Sequence, residues 1–157
     1  MKKTSNKGFS MVELIIVIAI MAILAAALAP ALIKYINKSR LSTDVQTGTT
    51  IASAINSALA VESAYDSAES YDKSYMAVNS ILGNANNNSF AAEVAGVVGQ
   101  SQVNGKAKKD LAGSAISPEF YCYVDVANNK VTIWAGSWGT ADTAHIVSPV
   151  AGPSMAE

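Results

Sequence analysis

One cysteine in 157 residues excludes an intrachain disulfide, so any domain this chain builds is held by packing alone. A single histidine, His145, excludes a histidine-rich metal centre and leaves any Ser-His-Asp arrangement dependent on one imidazole. Asp125 and Asp142 are available as acids, but no Gly-x-Ser-x-Gly elbow and no phosphate-binding glycine loop accompanies them. The expectation is a protein that is not an enzyme and carries no metal or cofactor. Charge is also sparse. Only 15% of residues are charged and the net charge is −1, which leaves no electrostatic footprint for nucleic acid. Lys106, Lys108 and Lys109 cluster without interleaved aromatics and read as a solvated loop, Cys122 as a buried strand residue, and His145 as a strand-edge residue.

What the chain has in abundance is one apolar run near its start. From Phe9 to Ile33 it carries a single charged side chain, Glu13. As a helix that stretch spans about 37 Å, enough to cross a hydrocarbon core of about 30 Å with some tilt. A carboxylate entering a bilayer on a helix costs about 2.5–3.5 kcal/mol on insertion scales. A plain anchor has no reason to carry Glu13, so it stands as a functional-site candidate whose natural partner is a positive charge. A secretory signal peptide is the competing reading, with Lys2, Lys3 and Lys7 as its basic region and Ala25-Ala26-Ala27 or Ala27-Leu28-Ala29 as small-residue cleavage sites. Pro30 directly after Ala29 opposes the second of those cuts, and Glu13 opposes the whole hydrophobic region. A buried core helix in a soluble protein is disfavoured by the length of the run. Flanking charge does not set orientation, because Lys34, Lys38 and Arg40 answer the three N-terminal lysines.

The segment Lys7-Gly8-Phe9-Ser10-Met11-Val12-Glu13-Leu14, followed by an apolar tail up to Pro30, resembles the N-terminus of type IV pilins and pseudopilins. That resemblance implies that a prepilin peptidase removes residues 1–8 by cutting between Gly8 and Phe9, and that the new N-terminal Phe9 is methylated. It implies a cytoplasmic leader and a C-terminal part outside the membrane. It further implies a subunit that passes from the cytoplasmic membrane into an extracellular helical filament of identical copies, with assembly machinery and minor pilins as other partners. Glu13 lies four residues, about one helical turn, beyond the new amine. A neighbouring subunit shifted along the axis can therefore set its Phe9 amine opposite this carboxylate, and Glu13 acts as a register device. Around Pro30 the family's helix is often locally extended in filaments. The position commonly glycine in that segment is Ala22 here, so any helix breaking rests on Pro30 alone.

Beyond Pro30 the apolar positions Leu41, Val45, Gly48, Ala52, Ile55 and Leu59 recur at helical spacing, which predicts one helix from about Phe9 to about Val61, roughly 80 Å long. Such a helix is too long for a compact domain and is expected to protrude. Thr47-Gly48-Thr49-Thr50 is its expected weak point. The region 62–117 begins acidic, with Glu62, Asp66, Glu69 and Asp72, and reads as a loop whose tyrosines Tyr65, Tyr71 and Tyr75 cover a sheet. Short helices are expected at Tyr75–Leu82 and Ser89–Val98, and a weaker one at Lys106–Leu111. From residue 118 the pattern alternates. Phe120–Val126 and Lys130–Ala135 read as strands joined by an Asn128-Asn129 turn, with Ala144–Val147 as a third after the turn Gly136-Ser137-Trp138-Gly139.

The expected architecture is α+β, a long protruding N-terminal helix packed through its C-terminal half on a small antiparallel sheet. Its parts are a leader (1–8), a membrane and filament-core helix (9–33), an amphipathic continuation (34–61), a variable region (62–117) and a sheet headpiece (118–157). Many pilins of diderm bacteria close the headpiece with a cystine loop, which a lone Cys122 cannot do. Some pseudopilins hold calcium in C-terminal loops, for which Asp142 supplies only one carboxylate. A pseudopilin of a secretion or competence system is the alternative to a pilin. A tyrosine-, proline- and glycine-containing motif usual in major secretion pseudopilins does not follow the helix, which favours the pilus.

Overall fold

The computed structural model describes residues 8–136, 143–149, 152 and 155. The N-terminal lysines, the turn residues Ser137, Trp138 and Gly139, and Asp142 lie outside the described residues. The chain divides into two units, the first ending at Ile36 and the second beginning at Asn37. A single helix, α1 (Met11–Leu59), runs through both and keeps Pro30 in its interior. It starts and stops within two residues of the range its periodicity predicts.

In the first unit every described residue from Gly8 to Ile36 is exposed within the chain. One window of 18 residues has a mean hydropathy of 2.9, which makes α1 long and apolar enough to cross a membrane. Water does not suit this apolar surface, and the described residues of the chain's own core do not cover it.

The second unit is a helix-on-sheet layer. Leu41, Gly48, Ile51, Ala52, Ala54, Ile55, Ala58 and Leu59 of α1 are buried, and Val45 packs against them. The threonines beside Gly48 do not break the helix. Thr43, Thr47, Thr49 and Thr50 each donate a hydroxyl to the carbonyl four residues back, at 2.9–3.1 Å, so their polar groups are satisfied inside the helix. Gly48 is needed for another reason. A Cβ there would lie 2.9 Å from the Cβ of Val147 and overlap its Cγ2, so glycine lets the last strand approach the helix.

The sheet has four antiparallel strands in the order β1 (Tyr75–Ala77), β2 (Phe120–Asp125), β3 (Lys130–Ala135) and β4 (Ile146–Ser148). Three strands are expected from alternation. The extra one, β1, takes the first three residues of the predicted helix Tyr75–Leu82, and the helix α3 covers only Val78–Leu82. Pairing decides this: Tyr75, Met76 and Ala77 face Tyr123, Cys122 and Tyr121 of β2, and the Tyr75 and Tyr123 rings lie 4.8 Å apart. On β2 the residues Phe120, Cys122 and Val124 are buried, as the period-two pattern requires, and Val126 just beyond the strand is buried with them. On β3 both faces are buried, because Thr132 and Trp134 are covered as well as Val131, Ile133 and Ala135. The Asn128-Asn129 turn is looser than a two-residue hairpin. Asp125 pairs with Lys130, leaving four residues between them, and Asn129 takes the positive φ of 52°.

Between helix and sheet lie α2 (Glu62–Ala68), a 3₁₀ turn at Glu69–Tyr71, and α4 (Ser89–Val98). The predicted loop at 62–68 is thus helical. Ala64 and Ala68 face the core and its acids point outward, a short amphipathic repeat that the tyrosines obscure. Tyr71 packs on Phe90 at 5.4 Å between ring centres, whereas Tyr65 stays 43% exposed. Helix α4 matches its predicted range. Asn88 caps its start by accepting the Ala91 N–H, and Gly99 with φ of 69° ends it.

The weak helix expected at Lys106–Leu111 does not form. Its amides are claimed from outside: Lys106 and Ala107 donate to the carboxylate of Asp44 at 2.7 and 2.8 Å. Asn37 donates its side-chain amide to the carbonyl of Lys109 at 3.0 Å. Asp44 is only 2% exposed, on a helix face that the apolar stripe alone does not mark as carrying an acid.

Burial also governs Cys122. Its thiol is pushed up to about 12 from an ordinary 9.0 by desolvation. Folded and unfolded states both hold the proton below the ordinary value, so the stabilisation is fully present there and is lost as pH rises towards about 12. At pH 10.5 this one group is expected to lower stability by about 2 kcal/mol relative to pH 8. Denaturant titrations at the two pH values should show a smaller loss in Cys122→Ala than in the wild type. Equal losses would refute the assignment.

Candidate functional site

The residues singled out at the N-terminus meet at the start of α1. Gly8, Phe9 and Ser10 precede the helix, and Phe9 is 84% exposed. Ser10 occupies the N-cap. Its hydroxyl oxygen accepts the Val12 N–H at 3.3 Å, and its carbonyl accepts the Leu14 N–H at 3.2 Å. Glu13 closes the arrangement by accepting the Ser10 N–H on Oε2 at 2.9 Å. Ser10-Met11-Val12-Glu13 is therefore a capping box, in which two otherwise orphaned amides are satisfied reciprocally. The acid also sits where the helix dipole favours negative charge.

Ser10 is the residue that the sequence reading passed over. Its signal in the sequence is Ser-x-x-Glu ahead of an apolar run. Around Glu13 the side chains are apolar and exposed, among them Met11, Leu14, Ile16 and Val17. Pro30 supplies no amide hydrogen to the carbonyl of Ala26, yet α1 continues to Leu59.

Residues 3–29 match the family model described as the prokaryotic N-terminal methylation motif. The chain carries the type IV pilin/pseudopilin signature. No curated protein and no solved structure matches the chain. A pilin-like α+β fold, with a long N-terminal helix packed on a small four-stranded antiparallel sheet, accompanies the signature. Motif and fold together point to a pilin-like or pseudopilin protein of structural type, processed by prepilin peptidase and associated with a membrane before it polymerises.

The other residues weighed from sequence are occupied elsewhere in the pilin-like headpiece. Asp125 is half-buried and accepts the side-chain amide of Asn128 at 2.8 Å and its N–H at 3.1 Å. These bonds to Asn128, with help from Lys73 and Lys130, hold its carboxyl below the usual range. His145 lies just before β4, with Nε2 3.4 Å from Oδ2 of the buried Asp110, and its carbonyl accepts the Ala135 N–H. Both are thus engaged in holding loops. Cys122 lies in the core facing Met76 and Ile133 on neighbouring strands.

Proposed function

We propose that this protein is a type IV pilin, a subunit that polymerises through its N-terminal helix into an extracellular filament for adhesion, motility or DNA uptake. Prepilin peptidase cuts between Gly8 and Phe9, and the Phe9 amine is then methylated. The processed subunit rests in the cytoplasmic membrane as a single-pass protein with its C-terminal part outside, until the assembly machinery and minor pilins draw it into the filament. There the apolar side chains of residues 9–33 form the filament core, Pro30 permits local extension, and the sheet faces outward.

The observation that carries this reading is an apolar helical stretch, residues 11–36 of α1, exposed throughout and with one carboxylate in its first turn, directly after an exposed, non-helical Gly8-Phe9 junction. Packing against identical helices would remove that apolar surface from lipid and water. Glu13 would meet the one positive charge that cleavage creates at the same depth, the Phe9 amine of a neighbour.

Gly8→Leu tests the processing step. A side chain beside the scissile bond is expected to block cleavage, so that only the longer precursor accumulates in the membrane fraction. Mature-length protein in that strain would contradict a prepilin-type cut. Electron microscopy of the cell surface distinguishes long pili from a short pseudopilus.

A further inference from the structure

We infer that the second unit carries a basic collar, made of Lys38, Arg40, Lys106, Lys108 and Lys109, which binds the anionic headgroups of the leaflet from which the apolar helix emerges; this rests on the reading of residues 9–33 as a membrane span. The lysines of the 106–109 segment lie far from Lys38 and Arg40 in the sequence, and the fold joins them. Asn37 donates its side-chain amide to the carbonyl of Lys109 at 3.0 Å. Two turns further along the same face of α1, Asp44 accepts the N–H groups of Lys106 and Ala107 at 2.7 and 2.8 Å. The segment is thereby strapped along the helix. Arg40 and Lys38 leave α1 on either side of the strap, about 60° and about 100° round from Asn37. All five cations are exposed. The acids within the strap's reach face inward: Asp44 is 2% and Asp110 4% exposed, and Asp110 accepts the Ser114 N–H at 2.7 Å. No described residue forms an ion pair with Lys106, Lys108 or Lys109.

Two observations select a lipid surface as the partner. The first is chain connectivity. The exposed apolar stretch ends at Ile36, and Lys38 and Arg40 follow it within about 6 Å of helix rise. With the span in the hydrocarbon, the collar lies at the depth of the headgroups. The second is the distribution of charge within the second unit. Glu62, Asp66, Glu69 and Asp72 gather beyond Leu59, about 33 Å further along α1 than Asn37, and three of them line a cavity with Tyr65. An anionic surface therefore attracts the end of this unit that adjoins the span and repels the other. Each lysine or arginine held near such a surface raises the affinity by about fivefold. Strapping the segment to α1 fixes its lysines before they meet the headgroups, so less freedom is lost on contact.

The test places the full chain in vesicles of phosphatidylcholine alone and of phosphatidylcholine mixed with phosphatidylglycerol. A water-soluble amine-acylating reagent is added, and mass spectrometry reads the labelling of each lysine. Lys73 and Lys130, which flank the β2–β3 hairpin end, serve as internal references for headpieces that face the reagent. In the anionic vesicles Lys106, Lys108 and Lys109 are expected to label at least about fivefold more slowly relative to the references. The difference is expected to vanish in about 1 M salt, where the screening length falls to about 3 Å. Equal labelling in the two kinds of vesicle would overturn the inference and leave the span intact, because the chain would still float with the lipid. Protection in both kinds that disappears when the chain is diluted in lipid would overturn it as well, and would assign the collar to the acidic end of a second copy. A chain that fails to float with either vesicle would remove the span reading and this inference with it.

Discussion

Glu13→Leu enters the membrane at least as well as the wild type and assembles almost no filament. Insertion improves because the substitution removes a carboxylate that costs about 2.5–3.5 kcal/mol in a bilayer helix. Assembly fails because every docking event leaves the neighbour's Phe9 amine in an apolar environment without its counter-charge. Removing one partner of such a desolvated pair costs about 3–5 kcal/mol. At 1.4 kcal/mol per tenfold, that is a loss of at least about a hundredfold in subunit affinity. The same change also opens the capping box, since the Ser10 N–H loses its acceptor. Sheared surface fractions probed for the protein, beside membrane fractions probed for the mature subunit, separate the two effects. Wild-type filament abundance would show that the acid has no part in docking.

Asp44→Ala is expected to leave membrane insertion untouched and to cost the headpiece about 3–5 kcal/mol. Its carboxylate is 2% exposed and accepts two backbone amides, those of Lys106 and Ala107. A hydrogen bond to a charged acceptor contributes about 1.5–3 kcal/mol, and both donors would be left without a partner. Gly105 already brings the chain close, since a Cβ there would lie 3.1 Å from Oδ2 of Asp44. Asp44→Asn keeps one acceptor oxygen and is expected to lose about half as much. Against a domain stability of about 5–15 kcal/mol the alanine loss is large. Denaturant unfolding of the full-length protein in detergent, followed by circular dichroism, measures it. A change under about 0.5 kcal/mol would mean that the segment 105–110 is held by other contacts.

The long helix and the sheet strands were legible because each rests on a local period. Residues 41–59 repeat at helical spacing, and 120–126 alternate. Of the short elements α4 was legible too, whereas β1 and the segment Lys106–Leu111 were not. Tyr75–Ala77 becomes a strand only because Tyr121–Tyr123 lies beside it, a partner more than forty residues away. Lys106–Leu111 fails as a helix because Asp44, on another element, takes two of its amides. At the N-terminus the Gly8-Phe9 pair and Glu13 stand out by residue order and by the membrane cost of charge. The link between Ser10 and Glu13 was equally local, yet it appears only when the acid is asked what it bonds within its own chain.

The central claim is that Phe9 becomes the N-terminus of a membrane-held subunit that polymerises. Mass spectrometry of the N-terminal peptide, from protein isolated from its native cell surface, tests it most directly. A peptide beginning at Phe9 and carrying one added methyl group is the predicted result. A peptide beginning near Leu28 would mean an ordinary signal peptide and a secreted domain without its apolar helix, which contradicts the account.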